Sequence, residues 1–182
     1  MKESIKNFDF SLKQIDREDF ENCEFTSCIF PDLKNIVFID CVFKNCNLSN
    51  MRMENCKLQN VKFIDCKLIG INFTLVNTFG FSVLFENCNL DYTFFDKMKM
   101  NKSVFENCKI HGANFTQSDL TKSTFTNCDL LDTVFENTNL GGVDLTRVFN
   151  FSIDPEKNNI RKAKFSLHEL SGLLHKYDII IE

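Results

Sequence analysis

Cysteine is the residue type here with the most chemistry to offer, and it occurs nine times, as Cys23, Cys28, Cys41, Cys46, Cys56, Cys66, Cys88, Cys108 and Cys128. Thiolates can attack as nucleophiles, hold zinc or pair into disulfides. The spacing speaks against each of these. No C-x-x-C occurs, and the closest pairs have four residues between them, which is not a zinc pattern. The opening stretch "MKESIKNFDFSLKQ" has no continuous apolar segment of the secretory kind. Nine thiols in that setting point to a reducing cytoplasm and not to a disulfide scaffold. The histidines, His111, His168 and His175, also lack metal-motif spacing. No Ser, Cys or acid stands apart as a nucleophile or base, and no Gly-rich phosphate loop is present. The expectation is a non-catalytic chain without metal or cofactor.

What the cysteines share is position, because each lies two residues before a large apolar residue. Cys88 precedes Leu90, Cys108 precedes Ile110 and Cys128 precedes Leu130. Ala113, Ser118, Ser123, Thr133 and Val143 fill the same small slot elsewhere. Cysteine then acts as a small buried hydrophobe. The large residues recur every fifth position, through Phe105, Ile110, Phe115, Leu120, Phe125 and Leu130. A helix needs apolar residues every three or four positions and a strand every second, so neither explains a period of five. A five-residue side followed by a turn does explain it, and four such sides close a square coil of 20 residues. Stacked coils bury one continuous apolar column, which is a solenoid. In the last run Phe falls at 85, 95, 105, 115, 125 and 135, while Leu, Ile or Met falls at 90, 100, 110, 120, 130 and 140. Phe is therefore expected on two opposite sides and aliphatics on the other two. Asn45, Asn87, Asn107 and Asn127 come just before a Cys, where Asn suits a turn and can bond to the next coil.

The beat breaks twice, at about 31–37 around "PDLKN" and at 74–84 in "TLVNTFGFSVL". The uncharged run Leu68–Phe85 is long enough for a membrane span, but its polar residues and its centres at Leu68 and Phe73 place it in the repeat. The repeat is expected over residues 1–165, followed by a distinct end at 166–182. There Ser166 and Glu169 form a capping box, Leu167, Leu170 and Leu174 share a helical face, and "DIIIE" at 178–182 reads as a short strand. Apolar elements at an open solenoid end cap it or pair two chains, and pairing is the expectation.

Phe occurs 21 times and Trp not at all, while Gly and Pro are scarce for a chain so rich in Asn and Asp. Such uneven composition accompanies repeats. The formal net charge of -4 argues against direct nucleic-acid binding. From 110 to 145 the acids Asp119, Asp129, Asp132, Glu136 and Asp144 face one base, Lys122, so that window holds the whole deficit. Glu86 and Glu106 are expected one coil apart, a like-charge arrangement that costs stability. Thr116, Thr121, Thr124 and Thr126 fall on different sides, so no flat Thr ladder forms.

The pattern from about Phe10 to Phe165 resembles the pentapeptide repeat proteins, which implies an all-β fold, a right-handed quadrilateral parallel β-helix. The two breaks resemble the two loops of the quinolone-resistance (Qnr) proteins, and the tail "IDPEKNNIRKAKF" to "LLHKYDIII" resembles their C-terminal segment, which forms the dimer interface. Overall size and the longer loop are similar to the immunity protein against a gyrase-poisoning microcin. The resemblance implies a rod-like homodimer that imitates duplex DNA, binds DNA gyrase or topoisomerase IV, and protects it from poisons that trap cleaved DNA. About seven coils at about 4.8 Å would give a monomer near 33 Å and a dimer matching about 20 base pairs. DNA of the monomer's length carries about 20 charges, so mimicry would be local. Contact residues would be Asp32 and Lys34 in the first break, Phe79 and Phe81 in the second, Glu86, Glu106 and the acids of the 110–145 window. Phe79 and Phe81 could equally fold back on the solenoid. The dimer would form through Leu167, Leu170, Leu173, Leu174, Ile179, Ile180 and Ile181. A non-catalytic scaffold for another protein is the alternative.

Overall fold

A five-residue beat closes into a square only if the chain can turn sharply after every side. The second residue after each large centre makes that turn in the left-handed region. Asn45, Asp65, Asn87, Asn107 and Asn127, which follow Phe43, Phe63, Phe85, Phe105 and Phe125, have φ between 50° and 53°. Asn and Asp reach this region more easily than other residues with a Cβ, which accounts for an Asn-rich chain with few glycines. Their side chains also join the coils. Asn87 donates from Nδ2 to Asp65 Oδ1, Asn107 to Asn87 and Asn127 to Asn107, each at 3.1 Å.

The computed structural model describes residues 3–12 and 17–180. It is a four-sided solenoid of parallel strands. The first side is a nine-stranded sheet running from Glu3–Lys6 to Lys164–Phe165, with Phe25, Phe43, Phe63, Phe85, Phe105 and Phe125 in register. Nine strands enclose eight coils, one more than the sequence suggested, so the rod is about 38 Å long at about 4.8 Å per coil. The second side stacks Leu48, Leu68, Leu90, Ile110 and Leu130, and the third Phe73, Phe95, Phe115 and Phe135. The fourth stacks Phe20, Phe38 and Leu58, then Met100, Leu120 and Leu140.

The column inside follows the expected order. Phe105 stacks on Phe125 with ring centroids 4.5 Å apart, and Phe95 on Phe115 at 4.9 Å. Rings of the first and third sides meet edge to face, as Phe105 and Phe115 do at 6.0 Å. Alternating stacked and edge contacts suit the ring quadrupole in both directions. All nine thiols are buried. Six of them, Cys28, Cys46, Cys66, Cys88, Cys108 and Cys128, occupy the small slot before the second side in successive coils. Cys66 donates to the Phe43 carbonyl, Cys88 to that of Phe63 and Cys128 to that of Phe105, each at 3.4 Å. Ser123 and Thr138 make the same bond to Met100 and Phe115 at 2.8 Å. The small slot thus favours a residue that can donate to the coil before it. Burial pushes the Cys41 thiol up to about 11 and raises Cys56 as well, so these thiols stay protonated.

The two breaks are equal and opposite. Phe43 lies 18 residues after its partner Phe25, so the first break shortens one coil by two residues. Phe85 lies 22 after Phe63, so the second lengthens one by two and restores the phase. Segment 31–37 does not project as a loop. Leu33–Lys34 pairs with Met53–Glu54, and Val37 already belongs to the fourth side.

The C-terminal segment differs from the sequence reading in two respects. Ser166 does cap a helix, accepting from the His168 N–H at 3.3 Å, but the helix is 3-10 over Leu167–Leu173 and again over His175–Tyr177. Gly172 holds the segment in place. An added Cβ there would stand 2.5 Å from the ring and the carbonyl of Phe151, while its carbonyl accepts from the Ile153 N–H at 2.9 Å. A short segment tied at that point keeps the tighter winding common in connectors. Asp178 turns left-handed, and no strand forms through Asp178–Ile180. Ile181 lies outside the described residues.

Candidate functional site

The second break divides the two phenylalanines between the alternatives open to them. Asn77 still pairs with Lys57, so Thr78 arrives where the fourth-side centre belongs. Thr78 is exposed instead, and Phe81 packs on the core in its place, 6.3 Å from the Phe73 ring. The two extra residues provide the slack for that substitution and leave Phe79 at the tip, 80% exposed. Asn77 Oδ1 accepts the Phe79 N–H at 3.0 Å, and Lys57 Nζ lies 5.9 Å from the ring centroid. Phe81 belongs to the solenoid, and Phe79 faces solvent from a rigid support.

In the first break, Asp32 accepts the Arg52 N–H at 2.9 Å and Lys34 pairs with Glu54 at 3.0 Å. Both are exposed, and both tie the shortened side to the next coil. Glu86 and Glu106 sit in register on adjacent first-side strands, with no ion pair among the described residues.

The acids of the 110–145 window do not converge. Asp119 lies on the fourth side, Asp129 on the second, Glu136 on the third and Asp144 on the first, with Asp132 at the corner between second and third. Three are also partnered. Asp129 lies 2.7 Å from His111 Nε2 and accepts from Asn150 at 2.8 Å. Glu136 and Asp144 each face a lysine at 3.4 Å, Lys157 and Lys164. Sequence adjacency suggested a single acidic patch, and the coil distributes it around the rod. Burial raises the Asp129 carboxyl, but the bond from Asn150 and the adjacent His111 ring outweigh it and hold the group below its usual value. The Thr146 hydroxyl is foremost in holding Asp144 down.

At the C-terminal end, Leu167 is 80% and Ile180 90% exposed, with Leu170 and Ile179 also open to solvent. Leu173 packs partly on the core, and Leu174 is half-buried. The sequence reading missed a lateral apolar group, Tyr92, Phe94, Leu131 and Val134, exposed around one corner over three coils. All four fall outside the two inward slots of the repeat, and only their side-by-side stacking makes them a group.

Residues 18–95, 77–149 and 98–173 match the family model of the pentapeptide repeat region. Two trypsin-treated variants of QnrB1, a plasmid-mediated fluoroquinolone resistance protein, are similar in structure at a TM-score of 0.69 and 20% identity. The alignment covers 100% of this chain and 98% of each of theirs. HetL, a pentapeptide repeat protein of Nostoc sp. strain PCC 7120 involved in heterocyst differentiation regulation, is 11% identical over 90% of this chain and 84% of its own, at a TM-score of 0.42. No curated protein matches the chain closely enough to add to this.

Proposed function

Because the chain belongs to the pentapeptide repeat family, we propose that it is a non-catalytic binding protein that engages a type II topoisomerase and protects it from poisons that trap cleaved DNA. DNA gyrase and topoisomerase IV are the candidate partners, and fluoroquinolones or a gyrase-directed peptide toxin the candidate poisons. The working form is a cytoplasmic homodimer joined through the exposed C-terminal residues Leu167, Leu170, Ile179 and Ile180. The end-to-end likeness to a fluoroquinolone resistance protein supports the reading.

The observation that carries it is the loop at 78–82. The repeat gives up a regular corner there, turns Phe81 inward and presents Phe79 on a rigid support. Aromatic anchors on rigid scaffolds concentrate binding energy at interfaces. Burying such a ring contributes about 2 kcal/mol, or about 30-fold in affinity. A uniformly acidic surface is not part of this reading, since the acids lie on four sides. The rod's dimensions and the loop support it instead.

A gyrase supercoiling assay with a fluoroquinolone, titrated with this protein, tests the proposal. Rescue by the wild type is expected, shifted to about 30-fold higher concentration by Phe79→Ala. Phe81→Ala should act through stability and lower the melting temperature. No rescue against fluoroquinolone or microcin, with no binding to either topoisomerase, would overturn the reading in favour of a scaffold for another protein.

A further inference from the structure

Ion pairs between adjacent coils occur on the first three sides of the rod, and among the described residues the cations on the C-terminal half of the fourth side make none. Lys44 meets Glu24 on the first side, Lys109 meets Asp91 on the second and Lys34 meets Glu54 on the third, each one coil away. On the C-terminal half of the fourth side and its two corners stand Lys97, Lys99, Lys102, Lys122, Arg161 and Lys162, all exposed. Among the described residues none of the six has an ion pair. The carboxylate on this side is Asp119, which accepts from the Thr121 N–H and hydroxyl. We propose that this side is a docking surface for the phosphate backbone of duplex DNA.

A second observation makes the cations more than a solvated surface. Lys97, Lys102, Lys122 and Lys162 occupy left-handed backbone, with φ of 61°, 62°, 60° and 62°. On the N-terminal part of the edge shared by the last three, Asn22, Asp40 and Asn60 hold the equivalent turns. Lysine is the poorer residue there, because its side chain has no local bond to offset the left-handed geometry. Departures from the locally favoured residue collect where function is selected against stability. Gly142 takes the turn between Lys122 and Lys162, and the Lys122 stem lies over it, its Cγ 3.7 Å from where a Cβ would stand. The two lysines are two coils, or about 9.6 Å, apart along the backbone, so their charges line one edge of the rod.

The chemistry of the side selects the class of anion. Five of the six cations are lysines, point charges suited to phosphate contacts that ignore sequence. Among the six cations no large apolar or aromatic residue is exposed, and the exposed ring of the same side, Phe79, lies one coil before Lys99, at the edge of this surface. A protein partner would need such anchors, and single-stranded nucleic acid would need rings to stack on. A flat, basic side without anchors fits the backbone of a duplex. The net charge of -4 averages this side with an acidic remainder, so it reported nothing about it.

The proposal stands apart from the topoisomerase reading and has its own test. A fluorescent duplex is titrated with the full chain by anisotropy over a series of salt concentrations. Binding at low salt is expected, with log affinity falling against log salt at a slope of about -4 for four to five neutralised phosphates. The triple variant Lys102→Asn, Lys122→Asn, Lys162→Asn removes three charges and suits the left-handed turns better. It should melt no lower than the wild type and lower the slope by about 2.7. Absence of duplex binding at low salt would overturn the proposal, as would binding that the folded triple variant retains unchanged. Binding of an acidic polypeptide in preference to the duplex would overturn it in favour of a protein partner.

Discussion

Replacing Asn107 by Ala and, separately, by Gly tests whether the corners are selected for backbone geometry. Asn107 turns at φ 52°, donates to Asn87 and accepts from Asn127, both at 3.1 Å. Ala loses the two exposed bonds, together about 1 kcal/mol, and must also hold the left-handed turn at about 1–2 kcal/mol. The total is about 2–3 kcal/mol. Gly loses the same bonds but holds the turn without steric conflict, so its cost is about 1 kcal/mol. For a chain of this length each kcal/mol moves the melting temperature by about 2–4 °C. Thermal unfolding followed by circular dichroism should then show a fall of about 4–12 °C for Asn107→Ala and about 2–4 °C for Asn107→Gly. Equal falls would refute the reasoning, because the position would then be chosen for its side-chain ladder alone.

Other consequences follow from the same geometry. Phe105→Ala removes a fully buried ring stacked between Phe85 and Phe125. It should cost about 3–5 kcal/mol in urea unfolding, and a cost near that of a surface change would deny the column its role. Glu106→Gln relieves the in-register pair with Glu86. It should stabilise by about 0.5 kcal/mol at low salt and by nothing measurable at high salt. Asp129 and Asp144 have native carboxyls held below the usual 3.8, by the bonds that outweigh burial at Asp129 and chiefly by Thr146 at Asp144. Their stabilisation is present above that value and is lost as pH falls through the lowered native one. Asp129→Asn should therefore flatten the acid limb of a stability profile below about pH 4, and an unchanged limb would remove Asp129 from the account.

Most of the fold was legible because one number governs it. A five-residue period with a small slot two before each centre places Phe85 to Phe135 correctly, and buried residues confirm it centre by centre. The thiols were legible as core, but their bonds to the preceding coil were not, because a carbonyl partner about 20 residues away leaves no local pattern. The first break was misread as a loop, since a lost pair of residues and an inserted one both interrupt the beat. Only the register, 18 residues at one break and 22 at the other, tells them apart. The acidic window failed for a related reason. Neighbours in sequence are carried to different sides every five residues, so a local charge count in a solenoid mixes surfaces that never face one partner. The 3-10 winding of Leu167–Leu173 depends on a tertiary contact, Gly172 against Phe151, that no local pattern contains.

A stack of this kind constrains its inward residues and leaves the outward ones nearly free. Outward residues are therefore informative mainly where they act against the stability of the stack. Asn at a left-handed corner is explained by the turn, and an ion pair one coil apart is explained by neutralisation. Lys102, Lys122 and Lys162 at such corners are explained by neither, nor is Glu86 set against Glu106. The loop that turns Phe79 outward joins them, because a five-residue corner would have closed that coil without exposing a ring. The loop and the lysines share the fourth side and its edge, and the glutamates stand on the adjoining first side, with the loop and the glutamates at the rod's middle and the lysines toward its C-terminal end. Two adjoining sides of the rod thus carry these departures, and substitutions there should change binding more than they change stability.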